Sequence, residues 1–454
     1  MSTEGRPLCL DACIVALNQA CEGGKKRWYA STLELQLVSL DFCRACRSVP
    51  TLRVRAEART PLSLWGSREP QHLHLIQLSS RVPLVRALAL RWALPMETLR
   101  QRAAIELWDW SEDLALAGTS PADCLDTVVW PRRLNRLEIE TVLETPVCTV
   151  SWPASLQQLS LGRSFNQPID EVVWPAALQH LSFGNGFNQP IAGVAWPGSL
   201  KILMLGASFD QSISEVVWPA SLQKLPFGDR FNQPIAGAVW PTSLQTLGFG
   251  VRFNQPISGV VWAAFLLQLR FGDRFNQPIA GVVWPASLQQ LSFGSDFNQS
   301  IAGVVWPAGL DRLAFGKRFN QPIIEVVWPA SLKQLLFGGL QFNQPIAGVV
   351  WPALLEHLSF GDGFKQPVAG VVWPASLERL SFGFSFNQPI VEAVWPDSLK
   401  YLCFGDFFNQ PLTEVRWPAS LRRLLLGRGF EYGVRGVRWP PSVRSVTRNG
   451  VSLL

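Results

Sequence analysis

Tryptophan recurs every 22 residues along most of this 454-residue chain. Fifteen tryptophans keep this spacing from Trp130 to Trp439, with a single extra residue between Trp328 and Trp351. A typical unit reads VVWPASLQQLSFGDRFNQPIAG, and the next unit follows without a linker. A unit this short cannot bury a core alone, so successive units must stack on one another as a solenoid.

Apolar residues within each unit indicate one short strand. They stand four, seven and nine residues after Trp, as at Leu288, Leu291 and Phe293. This spacing predicts a strand in which positions seven and nine face the same way. Prolines and glycines interrupt every unit and exclude a helix over most of it. We therefore predict a mainly β fold, a repeat solenoid of about fifteen 22-residue leucine-rich-like coils with parallel β-strands, plus a small, partly helical N-terminal region.

The residues before each Trp indicate which side chains of this segment face the core and which face outward. Two residues before Trp the chain always has Val or Ala, whereas one residue before it admits Ser151, Arg416 and Arg438. By alternation, Trp and the residue two before it face the core, and the residue one before it faces outward. The Val-Val-Trp run is thus a candidate for a second short strand.

Glycine stands ten residues after Trp in thirteen of the fifteen units, with Glu140 and Asn449 in the two terminal ones. Either a positive φ or a close approach to the neighbouring coil requires glycine there, and Asn is the best substitute for a positive φ. Three residues before Trp, Gly alternates with Glu. That position cannot require a positive φ, and we expect it to be a solvated bend.

The segment FNQPI begins at residues 187, 231, 253, 275, 319, 342 and 386 and follows an L-x-x-L-x-F-G segment. This pattern resembles the FNIP repeat family, a short relative of leucine-rich repeats, over residues 130–454. The resemblance implies a solenoid used for protein interaction, with no catalytic residues. Two features depart from the family: Trp replaces the usual Leu before Pro, and the Asn lies two places later than in ordinary leucine-rich repeats.

The FNQPI residues have predicted structural roles. We expect the Phe to fill the core and the Asn to stack into a ladder that hydrogen-bonds the turns of adjacent units. Asp210 and Glu431 keep an acceptor at the Asn position, whereas Lys365 does not. At Lys365 either the side chain turns out to solvent or the ladder has a gap.

We divide the chain into three regions. Residues 1–47 form an N-terminal helical cap, residues 48–109 hold diverged leucine-rich-like strands, and residues 110–454 form the FNIP-type solenoid. Strand candidates in the second region are 70–78, 88–90 and 105–107. FNIP-repeat proteins often carry an F-box, but residues 1–47 show no Leu-Pro-led helical motif. Because of the family resemblance, an adaptor that recruits substrates to a ubiquitin ligase is kept as an alternative to the main interpretation.

Composition and the placement of cysteines indicate a folded protein and suggest its cellular compartment. Hydrophobic residues make up 48% of the chain and charged residues 16%, which excludes a disordered chain. No apolar run approaches the roughly 18 to 20 residues of a membrane span, so we expect neither a span nor a secretory signal. Five of the eight cysteines lie within the first 46 residues and form no disulfide framework. We expect an intracellular, cytoplasmic protein.

Two groups of residues in the N-terminal part of the sequence have ligand types that bind metals. Cys9, Cys13, Cys43 and Cys46 include one C-x-x-C pair, a common zinc half-site. Buried cysteines of a cap are the commoner arrangement. His72 and His74 also resemble a pair of metal ligands, but on a strand they share one face, and a solvated strand face is the commoner case. We therefore expect no metal and no cofactor.

Arginine is concentrated at both ends. Residues 44–102 hold eleven Arg against three acidic residues, and residues 416–454 hold eight Arg against Glu431. Binding of nucleic acid or another anionic surface through these ends is a second alternative. The arginines lack regularly interleaved aromatic residues, which argues against nucleic acid.

The sequence contains no nucleophile–base pair, phosphate loop or paired carboxylates. We therefore predict a non-enzymatic scaffold that binds a protein partner. Its candidate interaction face is the residue six places after each Trp, which varies while the rest of the unit is monotonous. With Ile202 and Thr246, the row comprises Arg136, Gln158, His180, Lys224, Gln268, Gln290, Arg312, Gln334, His357, Arg379, Tyr401 and Arg423.

A second surface lies one residue before each Trp. This row runs from Val173 to Val394 with Ala195 as its one exception, and then continues as Arg416 and Arg438. If it faces outward, it forms a larger apolar patch than soluble monomers usually expose. Self-association through this row is therefore a further possibility.

Overall fold

The computed structural model describes residues 55–56, 91–92, 113–116, 125, 130, 132–139 and 146–454, and for the first three ranges it describes the backbone only. The predicted helical cap, the strand candidates at 70–78, 88–90 and 105–107, and the candidate zinc and histidine ligands lie outside the described residues. The chain divides into two units, residues 1–189 with 194–202 and residues 190–193 with 203–454.

The described part is almost entirely short strands, with a 3-10 helix at Val147–Thr149. The strands, in chain order β1 to β19, are Arg55–Ala56, Arg91–Trp92, Asp113–Leu116, Arg136–Ile139, Gln158–Leu161, His180–Ser182, Ile202–Met204, Lys224–Pro226, Thr246–Gly248, Gln268–Arg270, Gln290–Ser292, Arg312–Phe315, Gln334–Phe337, His357–Ser359, Arg379–Ser381, Tyr401–Cys403, Arg423–Leu426, Ser445–Arg448 and Val451–Ser452. From β4 to β18, one strand begins six residues after each Trp of the repeat.

In the first unit, strands β1 to β6 pair consecutively and in parallel. Their register aligns equivalent positions of the repeat, so that Leu137 pairs with Leu159 and Leu159 with Leu181. Strand β7 lies at the boundary between the units.

In the second unit, strands β8 to β18 also pair consecutively and in parallel. Leu269 pairs with Leu247 on one side and with Leu291 on the other. The short β19 closes the series antiparallel to β18. These pairings confirm the predicted mainly β solenoid of parallel strands with a 22-residue period.

The core consists of columns of equivalent residues. Leu288, Leu291 and Phe293 are buried, as the L-x-x-L-x-F pattern predicts. The Phe of each FNQPI segment is also buried, and Phe275 stacks on Phe297 with ring centroids 6.1 Å apart. Burial of identical aromatic rings in successive coils supplies the main stabilisation that a single coil lacks.

Trp faces the core, but the Val-Val-Trp run is not a strand. Trp284 is buried and stacks on Trp262 with ring centroids 6.1 Å apart. The predicted second strand is wrong, because the backbone N–H of Val282 closes a local turn with the Ile279 carbonyl at 3.3 Å. A donor used within its own coil cannot form a ladder with the next coil.

Glycine occurs at the two positions of the repeat for different structural reasons. A Cβ on Gly272, ten residues after Trp, would lie 1.7 Å from the Gly250 carbonyl oxygen, so close approach between coils is the reason for glycine there. Gly281, three residues before Trp, has φ 76° and no atom within 4 Å of a Cβ position. Asn449 is the one described residue other than glycine with a positive φ, so Glu325 takes an ordinary φ at the position of Gly281. That position therefore does not require a positive φ, as predicted.

Candidate functional site

The candidate row six residues after each Trp occupies the first residue of each strand. We call the side chains six and eight residues after Trp the strand face, because both point away from the buried Leu at position seven. The parallel register places Gln268, Gln290 and Arg312 side by side.

The predicted residues fall into the two units. Arg136, Gln158 and His180 adjoin one another in the first unit. The second unit contains Lys224, Gln268, Gln290, Arg312, Gln334, His357, Arg379, Tyr401 and Arg423, and the register brings the eight from Gln268 onward into one row.

Sequence reasoning missed the residues eight places after Trp. Arg270 and Leu425 are exposed members of the strand face at this position, and Cys403 is half-buried there. The two-residue period of a strand was the signal that could have identified them, since position eight shares its side with position six.

The C-terminal part of the strand face carries a tyrosine between two arginines. The guanidinium carbon of Arg379 lies 4.6 Å from the Tyr401 ring centroid, and that of Arg423 lies 5.9 Å from it. Both arginines are exposed, and within the described residues neither forms an ion pair. The stacking holds two guanidinium groups in place while leaving their N–H donors open.

The charged side chains of Lys400 and Glu378, close to these arginines in the sequence, already form an ion pair with each other. The pair joins adjacent coils, and both residues lie five positions after their tryptophans. Glu378 has a pKa below its usual value, chiefly because the Lys400 ammonium donates a hydrogen bond to it. Arg379 and Arg423 therefore contribute unpaired positive charge to this region, as does the exposed Arg422.

Two other side chains here are titratable. Burial, followed by the charge of Arg379, lowers the pKa of His357. Burial raises the pKa of the Cys403 thiol, so little of the reactive thiolate forms at neutral pH. Neither group is prepared for nucleophilic chemistry.

The loop edge, formed by the FNQPI segments, is held by a ladder of asparagines. The backbone N–H of Asn298 donates to Oδ1 of Asn276 at 2.9 Å, and the amide of Gln299 donates to the same oxygen at 3.0 Å. Asp210 serves as acceptor in the same way, and Glu431 ends the ladder as a donor through its backbone N–H. The predicted ladder is thus present and gives the backbone N–H donors of these turns their acceptors.

The ladder has a gap after Lys365. The backbone N–H of Lys365 donates to Oδ1 of Asn343 at 2.9 Å, but its side chain offers no acceptor to the next coil. Within the described residues, the backbone N–H of Asn387 and the side-chain amide of Gln388 have no hydrogen-bond partner, unlike their equivalents in the coils on either side. A cleft of about 630 Å³ opens here, lined by Lys365, Ser385, Asn387, Gln388, Phe407, Asn409 and Gly429.

Comparison with protein-family models matches the FNIP Repeat at residues 150–186, 187–230, 297–339, 342–385 and 386–429. The chain contains FNIP repeats. The matched segments contain strands and ladder residues described above, Asn298 and Lys365 among them, so the family resemblance seen in the sequence is confirmed.

Solved structures similar to this chain include proteins described as leucine-rich-repeat proteins. CroV588, described as a novel circular LRR protein structure, is 37% identical with a TM-score of 0.59; the match covers 74% of this chain and 56% of that chain. An internalin from Listeria monocytogenes is 13% identical, with a TM-score of 0.38 and coverage of 77% and 92%. A leucine-rich-repeat protein of Leptospira interrogans is 16% identical, with a TM-score of 0.39 and coverage of 78% and 92%. The search of curated proteins finds no match.

The FNIP repeats present a second exposed surface, outside the strands, that carries few charges. We call the residues four, three and one before Trp and two after it the back wall. The valines one residue before Trp are 76–82% exposed, which confirms their outward orientation. From the coil of Trp240 to that of Trp373, Glu325 is the single charged residue at these positions. In the second unit the valine row comprises Val217, Val239, Val261, Val283, Val305, Val327, Val350, Val372 and Val394.

The described part of the chain contains neither a metal-binding cluster nor a membrane-spanning helix. No group of three or more His, Cys, Asp or Glu side chains in this part of the chain is placed to hold a metal ion. None of the described residues belongs to a helix of the length and hydropathy that crossing a bilayer requires.

Proposed function

We propose that this chain is a non-catalytic scaffold that binds a protein partner on its strand face. The observation that carries the proposal is the Arg379–Tyr401–Arg423 stack, in which both arginines are exposed and free of ion pairs within the described residues, in a row whose residues vary along the array. The buried leucines beneath the row hold these side chains in fixed positions. Variable side chains on a regular support are how solenoids achieve recognition.

The chemistry of the stack favours a partner with acidic side chains. Arginine and tyrosine dominate the energetically important positions of protein interfaces. Arg379 and Arg423 can each pair with a carboxylate through two parallel hydrogen bonds, and Tyr401 supplies apolar area between them. Arg422, exposed beside Arg423, adds positive charge to the same end.

Charge reversal tests this assignment. The wild-type chain, the double variant R379E/R423E and the control R252E/R274E are used to capture partners from cells, with and without nuclease treatment. Arg252 and Arg274 are exposed in the second unit, twelve residues after their tryptophans and away from the strand face. Because two arginines become glutamates in each variant, the control has the same net charge as the test variant.

The proposal predicts that a partner captured by the wild type and by R252E/R274E is lost with R379E/R423E, and that nuclease treatment leaves its capture unchanged. Equal capture by all three forms would contradict binding through the stack. Capture that disappears after nuclease treatment would favour the nucleic-acid alternative instead.

We also propose that the valine row of the back wall mediates self-association. Its valines are about four-fifths exposed in consecutive coils of the second unit, and soluble monomers rarely leave so large an apolar patch uncovered. The double variant V261K/V305K should convert an oligomer to a monomer in light scattering, whereas Q268K/Q290K on the strand face should not. A wild-type chain that is monomeric at all concentrations would contradict this.

We place the protein in the cytoplasm. Cys148 and Cys403 are free, as cysteines of a reducing compartment are, and the cysteine spacing does not suggest a disulfide framework. Cell fractionation that recovers the protein with secreted material would contradict this location.

A further inference from the structure

The chain itself shows how the loop edge binds a carboxylate. Oδ1 of Asp210 accepts a hydrogen bond from the backbone N–H of Asn232 at 2.9 Å and another from the side-chain amide of Gln233 at 3.0 Å. These two donors belong to the FNQPI segment of the following coil. A backbone N–H and a glutamine amide therefore form a two-donor site for one carboxylate oxygen.

The same two donors are open one coil after Lys365. Asn387 and Gln388 correspond to Asn232 and Gln233. In the coil before them, however, the position that Asp210 holds is occupied by Lys365 instead of an aspartate or asparagine. Within the described residues, Lys365 forms no ion pair, and neither the backbone N–H of Asn387 nor the side-chain amide of Gln388 donates a hydrogen bond. Asn387 acts as an acceptor, through Oδ1 from the Asn409 N–H and through its backbone carbonyl from the Gln410 amide. All three line the cleft of about 630 Å³.

The carboxylates of Asp362 and Asp406 do not accept hydrogen bonds from Asn387 or Gln388. Asp362 accepts the backbone N–H of Phe384 at 3.2 Å. Asp406 accepts the backbone N–H of Arg428 at 3.1 Å and lies 3.9 Å from that residue's Nε. The positive charge of Lys365 therefore has no carboxylate partner in the described part of the chain.

An exposed aromatic pair gives the cleft an apolar side. Phe407 lines the cleft, is 57% exposed and lies with its ring centroid 4.6 Å from that of Phe384. An exposed pair of this kind favours an apolar group beside the polar donors.

We propose that this cleft binds a carboxylate attached to an apolar group, as in an acidic side chain beside an aromatic residue of a peptide. One carboxylate oxygen takes the position that Asp210 Oδ1 occupies in its coil and accepts from Asn387 N–H and the Gln388 amide. The Lys365 ammonium balances the charge, and the apolar group packs against Phe407. Two N–H donors and one ammonium suit a singly charged acceptor, and hydrogen bonds to an ionised group are stronger than neutral ones.

Phenylacetate is a suitable probe because it joins a carboxylate to one aromatic ring. Phenylacetamide has the same shape without the charge and serves as the matched control ligand. The full chain, labelled with ¹⁵N, is titrated with each compound while the backbone amide signal of Asn387 is followed by NMR.

Two variants of Lys365 separate the contributions. Lys365→Asn supplies the missing acceptor, which closes the ladder and removes the charge together, so it should abolish binding while stabilising the fold. Lys365→Met leaves both donors open and removes the charge alone, so we expect about tenfold weaker binding. A loss of binding in Lys365→Asn cannot be attributed to misfolding if that variant unfolds at higher urea concentration than the wild type.

The proposal expects a saturable shift of the Asn387 signal with phenylacetate, little shift with phenylacetamide and none in Lys365→Asn. Equal shifts with both ligands, or an unchanged response in Lys365→Asn, would overturn it. The cleft lies on the loop edge and does not depend on the strand-face proposal, so R379E/R423E should bind phenylacetate as the wild type does. A loss of the shift in that variant would also contradict the assignment.

Discussion

The backbone N–H of Asn276 donates to Oδ1 of Asn254 at 2.9 Å, so the turn of one coil is completed by a side chain of the coil before it. The amide of Gln277 reaches the Asn254 backbone carbonyl at 3.0 Å. Each coil therefore depends on its neighbour for polar satisfaction as well as for apolar packing. This arrangement couples the stability of adjacent repeats.

Replacing Asn254 with Ala should lower the free energy of unfolding by about 1 to 3 kcal/mol, because the backbone N–H of Asn276 loses its acceptor. Asn254→Asp should cost less, since Asp210 already performs the same role in this chain. Urea denaturation of the two variants measures the difference. Equal destabilisation by Ala and Asp would show that the ladder contributes nothing specific.

Trp284→Ala should cost about 3 to 5 kcal/mol, because it removes a large buried ring from the column that includes Trp262. Val283→Ala in the same coil is the control and should have a much smaller effect, since Val283 is exposed. The native protein should emit at shorter wavelength than free tryptophan. Emission at the wavelength of free tryptophan would contradict the buried column.

Gly272→Ala should destabilise the fold far more than Gly281→Ala. A Cβ at position 272 meets the Gly250 carbonyl oxygen at 1.7 Å, so a backbone must move. A Cβ at position 281 meets no atom within 4 Å, and because Glu325 takes an ordinary φ at the equivalent position, the change costs at most about 1 to 2 kcal/mol. Thermal unfolding ranks the two variants, and the reverse order would contradict close packing between coils.

His357 should titrate below 6.5 in the folded protein. Its pKa is lowered mainly by burial and then by Arg379, so protonation favours the unfolded chain. The contribution of His357 to stability is therefore present above the unfolded pKa and is lost as the pH falls through the folded pKa. NMR titration of the imidazole measures the midpoint, which Arg379→Gln should raise only in part. A midpoint at or above 6.5 would contradict this.

Much of the fold could be predicted because the repeat exposes each constraint many times. The alternation around Leu291 and Phe293 gave the strand, and the identity of the residue before Trp gave the outward orientation of Val283. The ladder and its interruption at Lys365 followed from the need to satisfy backbone donors in the turns.

Other features could not be derived from these patterns. The Val-Val-Trp run has strand composition, but the Val282 N–H is taken by a local turn, which composition does not reveal. A second ladder was also missed: the hydroxyl of Ser331 donates to the carbonyl of Leu310 in the preceding coil at 2.7 Å. Serine before a buried leucine is too common in turns to indicate such a bond. Predicting the Arg379–Tyr401–Arg423 stack requires knowing which residues are adjacent on neighbouring strands. The 22-residue period implies this register, but it is not visible when each residue is considered singly.

The assignment of partner binding to the strand face is tested most directly by site-specific photo-crosslinking in cells. A benzoylphenylalanine replaces either Gln290 on the strand face or Val283 on the back wall, seven residues away in the same coil. The account predicts that Gln290→benzoylphenylalanine crosslinks a different protein, whereas Val283→benzoylphenylalanine crosslinks a second copy of this chain. A different protein crosslinked from position 283 and none from position 290 would contradict it.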